Sequence, residues 1–146
     1  MSAKHQYIDV KIPKSLSKKE RREIADLIVE RIVDRTLDGK DKRGKGFPGY
    51  SKEYIKSLDF NNAGKSASDV NLQLSGDMLA ALTLLNETDG KLTIGFEDGS
   101  DENARADGNI RGTYGQERGN RKKARDFLGV SPKELKTIID MVISER

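Results

Sequence analysis

The groups in this 146-residue chain with the means to do chemistry are carboxylates and cations. Carboxylate pairs are plentiful, Asp98 with Asp101 for example, and two carboxylates are what a hydrolase needs as its acid and base. These two sit in acidic, Gly-flanked sequence that should be exposed, where nothing raises a pKa toward neutrality. Hydrolase or transferase chemistry is therefore disfavoured. The chain has no Cys, which removes disulfides, thiolate catalysis and Cys-ligated metal sites, and the single His5 has no second His for a zinc site and no triad partners. Asp38, Asp41 and Gly44 sketch a calcium loop, but the alternating oxygen ligands and closing Glu of an EF-hand are missing. A solvated turn explains them better. Gly108-x-x-x-Gly112 lies in no apolar segment, so it is not a membrane pairing motif, and no Gly-Lys-Ser/Thr ending makes it a phosphate loop. The expectation is a non-enzymatic protein with no cofactor and no metal.

Charge is the more informative chemistry. The net charge of +3 is small for this length, yet Arg118, Arg121, Lys122, Lys123 and Arg125 form a basic cluster. Glu97, Asp98, Asp101 and Glu102 form an acidic one shortly before it. One reading is a solvated surface. A second is DNA binding through 118–125, with the steep salt dependence of counterion release, although no aromatic residues interleave the cluster and no recognition helix accompanies it. A third is head-to-tail association into a ring, the acidic patch of one subunit facing the basic patch of the next. Phe47 and Tyr50, with Tyr54, read either as satellite core under a long loop or as contacts with a neighbour. No apolar run is long enough to span a bilayer and no secretory apolar segment opens the chain, so the expectation is a cytosolic product without a membrane partner.

The elements that must position these groups follow from hydrophobic period. Ile8, Val10 and Ile12 alternate with Tyr7, Asp9 and Lys11, a half-buried strand ended by Pro13. Ser17 and Glu20 make a capping box, and Ile24, Leu27, Ile28 and Ile32 then recur at helical spacing to about Leu37, with Gly39 as the C-cap. Residues 38–50 are rich in Gly and Lys, a mobile loop by composition; Ser51 is placed to cap a short helix over 52–58, and 61–68 reads as a flexible excursion. Val70, Leu72 and Leu74 carry period two, Met78, Leu79 and Leu82 a short helix capped by Ser75, and Asp89-Gly90 turns a hairpin into Leu92, Ile94 and Phe96. Ala106, Ile110 and Tyr114 keep helical spacing, weakened by glycines. Phe127 and Leu128 should plug the core before Ser131-Pro132-Lys133-Glu134 starts a helix lined by Leu135, Ile138, Ile139 and Val142. One domain over 1–146 is expected, of the α+β class: a small antiparallel sheet of about four strands against a long N-terminal helix and a C-terminal helix.

Three segments carry a family resemblance. Leu-x-Leu-Ser-Gly-Asp-Met-Leu at 72–79, the Gly-rich stretch from Arg35 to Ser51, and Arg125-Asp-Phe-Leu-Gly-Val-Ser-Pro132 resemble, in order and spacing, the tailed-phage virion morphogenesis and tail-completion proteins. Asn109-Ile-Arg-Gly-Thr-Tyr-Gly115 departs from the Tyr/His-x-x-Gly segment common there, and the basic run is longer. The resemblance implies a sheet flanked by helices and no catalysis. It also implies a sixfold ring at the head-proximal end of the tail, assembled in the host cytoplasm and retained in the virion. Its partners would be further copies of the chain and tail terminator, tail tube or head connector proteins, with transient contact to DNA in the channel. Tail terminator and capsid morphogenesis factor are the neighbouring roles.

Overall fold

The structure, a computed structural model, describes residues 3–46, 76–111 and 125–146. Within these the order is β1 (Tyr7–Lys11), α1 (Lys18–Leu37), α2 (Gly76–Ala80), β2 (Thr83–Thr88), β3 (Lys91–Gly95), α3 (Asp101–Arg111) and α4 (Pro132–Ser144). The class is α+β, as the hydrophobic periods require. Among the described residues the antiparallel sheet has three strands, in the order β1-β3-β2, where about four were expected for the chain. The strand expected over 70–74, the Ser75 cap and the helix over 52–58 lie outside the described residues.

Local rules account for most element ends. Ser17 and Glu20 complete a capping box at the start of α1, each satisfying an amide the helix cannot. At its other end the Gly39 N–H bonds the Thr36 carbonyl and the Lys40 N–H bonds the Arg35 carbonyl. That is a Schellman stop, which needs the φ of +79° that Gly39 adopts. Asp89-Gly90 turns the β2–β3 hairpin with Gly90 at φ +96°. The pairing slips by one residue between Leu84 and Asn86, a bulge that leaves Leu85 without a partner across the ladder.

The core lies between the sheet and α1, which packs on β2 and β3 and takes α4 along its flank. Ile24, Ile28 and Ile32 are fully buried, while Leu27 is only partly so. Each fully buried aliphatic side chain contributes about 1.5–3 kcal/mol of transfer free energy. Phe96 at the end of β3 meets Phe127 edge-on, ring centres 6.2 Å apart. Met78, Leu79 and Leu82 join the same cluster.

The helix with the least expected support is better formed than its glycines suggest. α3 starts at Asp101, earlier than the 106–114 spacing implied, because Ser100 caps it: the Asn103 N–H bonds the Ser100 hydroxyl at 3.0 Å. Ala106 is buried and Ile110 half-buried, and Tyr114 lies outside the described residues.

Candidate interaction surface

The acidic cluster hangs on the end of β3. Phe96 is anchored in the core, and the next residues turn through Gly99 at φ +80° while the Ser100 hydroxyl donates to the Glu97 carbonyl at 2.7 Å. Glu97, Asp98 and Asp101 are exposed and Glu102 is half-buried. Asp101 and Glu102 occupy the first turn of α3, where the helix dipole favours negative charge. No ion pair among the described residues involves any of the four. The turn is thus a fixed display of carboxylates.

Of the basic cluster only Arg125 is described. Its backbone N–H bonds the Asn109 carbonyl at the C-terminal end of α3, 2.7 Å away, which ties the segment carrying it to that helix. Arg118, Arg121, Lys122 and Lys123, like Phe47 and Tyr50, lie outside the described residues. The pairing of acidic and basic patches therefore stands on the sequence.

Asp41, weighed above as a calcium ligand, spends one carboxylate oxygen on the backbone N–H groups of Arg43 and Lys45, at 2.9 and 3.0 Å. It pins a small turn whose arms meet at a Lys40–Gly46 bridge. Among the described residues no group of His, Asp and Glu has the grouping of a metal site.

Two of the three segments that carry the resemblance are joined by one buried guanidinium. Arg35, in the last turn of α1, is 4% exposed. Its Nη2 donates to the carbonyls of Phe127 and Gly129 at 2.9 and 2.7 Å, and its Nη1 to both carboxylate oxygens of Glu134 at 2.8 and 3.0 Å. Arg31 Nε adds a 2.6 Å bond to the same carboxylate. Glu134 also closes the α4 capping box by accepting the Ser131 N–H at 3.0 Å. Lys42 reinforces the junction: its N–H bonds the Asp126 carbonyl, its Nζ lies 3.0 Å from the Asp126 carboxylate, and its stem covers Gly129. The Phe-Leu-Gly-Val-Ser-Pro segment acts here as the hinge pin of the C-terminal helix.

The sequence reading missed this use of Arg35, and it missed a second polar junction. The Asn103 side chain accepts the Gln6 N–H at 2.8 Å and donates to the Lys4 carbonyl at 3.1 Å, while Asp107 accepts from Gln6 Nε2 at 2.9 Å and from Arg111 at 2.6 Å. Asn103 and Asp107 stand one helical turn apart on the buried side of α3, so the Ser100 cap was the signal able to expose them. A comparison with family models, curated proteins and solved structures finds no match for this chain.

Three carboxyls in these junctions sit below their ordinary pKa. Burial pushes Glu134 and Asp107 up. The Ser131 amide with Arg31 and Arg35 outweighs that for Glu134, as Arg111, Gln6 and the Lys4 amide do for Asp107. Glu20, bonded to Arg146 and to the Ser17 amide, is lowered from 4.5 to about 2. A carboxyl whose folded pKa is depressed stabilises the fold above its unfolded pKa and loses that contribution as pH falls through the folded value. Urea midpoints should therefore hold steady above pH 4.5 and drop from there toward pH 2. Glu134→Gln should lower the plateau and flatten the drop; a parallel curve would mean that Glu134 does not contribute to the acid dependence.

Proposed function

We propose that this chain is a non-enzymatic structural subunit of a tailed phage, acting in tail completion or head-to-tail joining by self-association into a ring. The observation that carries the reading is the order and spacing of the three motif segments along one chain. Two features support it. The Arg35–Glu134 junction gives the C-terminal motif an architectural job, and the 97–102 turn presents carboxylates that its own described residues leave unpaired. In the assembled form the acidic turn of one subunit faces the 118–125 cluster of the next. Exposed ion pairs of this kind set register and assembly rate more than affinity.

The test is deletion of the gene in the phage that encodes the chain, with complementation in trans and electron microscopy of the lysates. Deletion should leave filled heads beside detached tails, and the unaltered gene should restore joined particles. Glu97→Lys with Asp98→Lys should fail to complement, and adding Arg121→Glu, Lys122→Glu and Lys123→Glu to that variant should restore joining. Intact infectious particles from the deletion would refute the neck role. Rescue by the acidic-turn variant alone would refute the charge-paired ring.

A further inference from the structure

β1 is an edge strand whose outer side is built to be used. Phe96 N–H bonds the Gln6 carbonyl and Ile12 N–H bonds the Gly90 carbonyl. In an antiparallel ladder these bonded pairs alternate with unbonded ones. The register then turns Ile8 and Val10 toward β3, and the N–H and C=O groups of Tyr7, Asp9 and Lys11 away from it. Among the described residues no strand pairs with that outer side.

Beside this edge runs a trough of about 700 Å³ that follows residues 8–11 along its length. Its far wall is the segment 128–131 and the first turn of α4. Leu128, Val130 and Leu135 make that wall apolar, while Lys11 and Arg43 give it a cationic rim beside Lys42, whose ammonium is held by Asp126 at 3.0 Å. The one carboxylate in the lining, Asp9, already accepts the Thr93 hydroxyl at 2.7 Å. Edge amides that the described residues leave unpaired invite a strand, alternate side chains of a strand reach opposite faces, and a cationic rim selects the polar half of the pattern.

We propose that this trough docks an extended segment of a partner protein that alternates apolar and acidic residues and joins the sheet beside β1. The carboxylates meet Lys11 and Arg43, and the apolar side chains lie over Leu128, Val130 and Leu135. A second copy of the chain is a poorer fit, because the exposed acidic residues of 97–102 form a turn and a helix start rather than an extended run. The inference is independent of the neck reading and concerns a different surface from the 97–102 turn.

The probe is a short fluorescein-labelled peptide alternating Glu and Val, titrated into the full chain at low salt, with amide exchange followed in parallel. Saturable binding that weakens with salt is expected. Binding should slow exchange at Tyr7, Asp9 and Lys11, leaving the already paired Ile8 and Val10 unchanged. Asp9→Pro removes an amide that no described residue uses, at an edge position where proline is tolerated, and with it the carboxylate that accepts the Thr93 hydroxyl; it should weaken binding by about tenfold or more. Lys11→Glu with Arg43→Glu should weaken it comparably and remove much of the salt dependence. Absence of saturable binding, or binding without protection of those three amides, would overturn the proposal even if Asp9→Pro failed to fold. Protection of the same amides that rises with protein concentration and no peptide would assign the trough to a second copy and overturn the partner segment.

Discussion

Arg35→Ala is expected to destabilise the fold by about 3–5 kcal/mol, the usual cost of removing one member of a buried ion pair. The loss goes beyond the charge. Glu134, whose side chain is only 15% exposed, keeps Arg31 as a partner but loses its two bonds from Arg35. The Phe127 and Gly129 carbonyls lose their donor within a segment whose residues 127–129 are buried. An unsatisfied buried carbonyl is itself costly. Arg35→Lys should recover little, since an ammonium lacks the planar fork that reaches a carboxylate and two carbonyls together. Denaturant midpoints of the single variants and of Arg35→Ala combined with Glu134→Gln would measure the coupling. The double variant should cost clearly less than the sum of the two. Strict additivity would show that the guanidinium and the carboxylate act independently.

Gly95→Ala is the second large effect, about 1–3 kcal/mol, and its cause is backbone crowding. Gly95 lies opposite Tyr7 across the β1–β3 ladder. A Cβ placed there would meet the Gln6 carbonyl oxygen and sit 2.6 Å from the Tyr7 Cα. Neither atom belongs to a flexible side chain, so β1 must move away from β3 at the point where residues 4–6 dock on α3. Gly99→Ala is the control. Gly99 has a φ of +80° and open space where its Cβ would stand, so its cost is the left-handed backbone alone, about 1–2 kcal/mol. Exchange at the Phe96 amide, which bonds the Gln6 carbonyl, separates the two. Gly95→Ala should speed it and Gly99→Ala should not; equal exchange in both would rule out the crowding.

Both effects arise between residues far apart in sequence, and that marks the boundary of what the sequence shows. Residues close along the chain specified the local elements. The alternation from Tyr7 to Ile12 specified a half-buried strand. The pairs Ser17 with Glu20 and Ser131 with Glu134 specified two helix starts, because a cap needs only residues three apart. Asp89-Gly90 specified a hairpin, and Gly39 the stop of α1. Of the apolar residues singled out by helical period in α1 and α4, Ile24, Ile28, Ile32, Ile138 and Val142 are buried, while Leu27, Leu135 and Ile139 are only partly so.

Where polar groups find partners depends on packing between distant segments. Arg35 lies 92 and 94 residues from the carbonyls it binds, and Asn103 lies 97 residues from the Gln6 amide. No periodicity encodes such pairs, since they depend on how α1, α3 and the chain before β1 come together. The same holds for Gly95, whose need for a missing side chain exists only once β1 lies against it, and for β1 as the edge of the sheet. Hydrophobic pattern tells a residue which face to take. Only packing tells a guanidinium, an amide or a strand edge what stands opposite, because each must replace the water it loses with a specific partner.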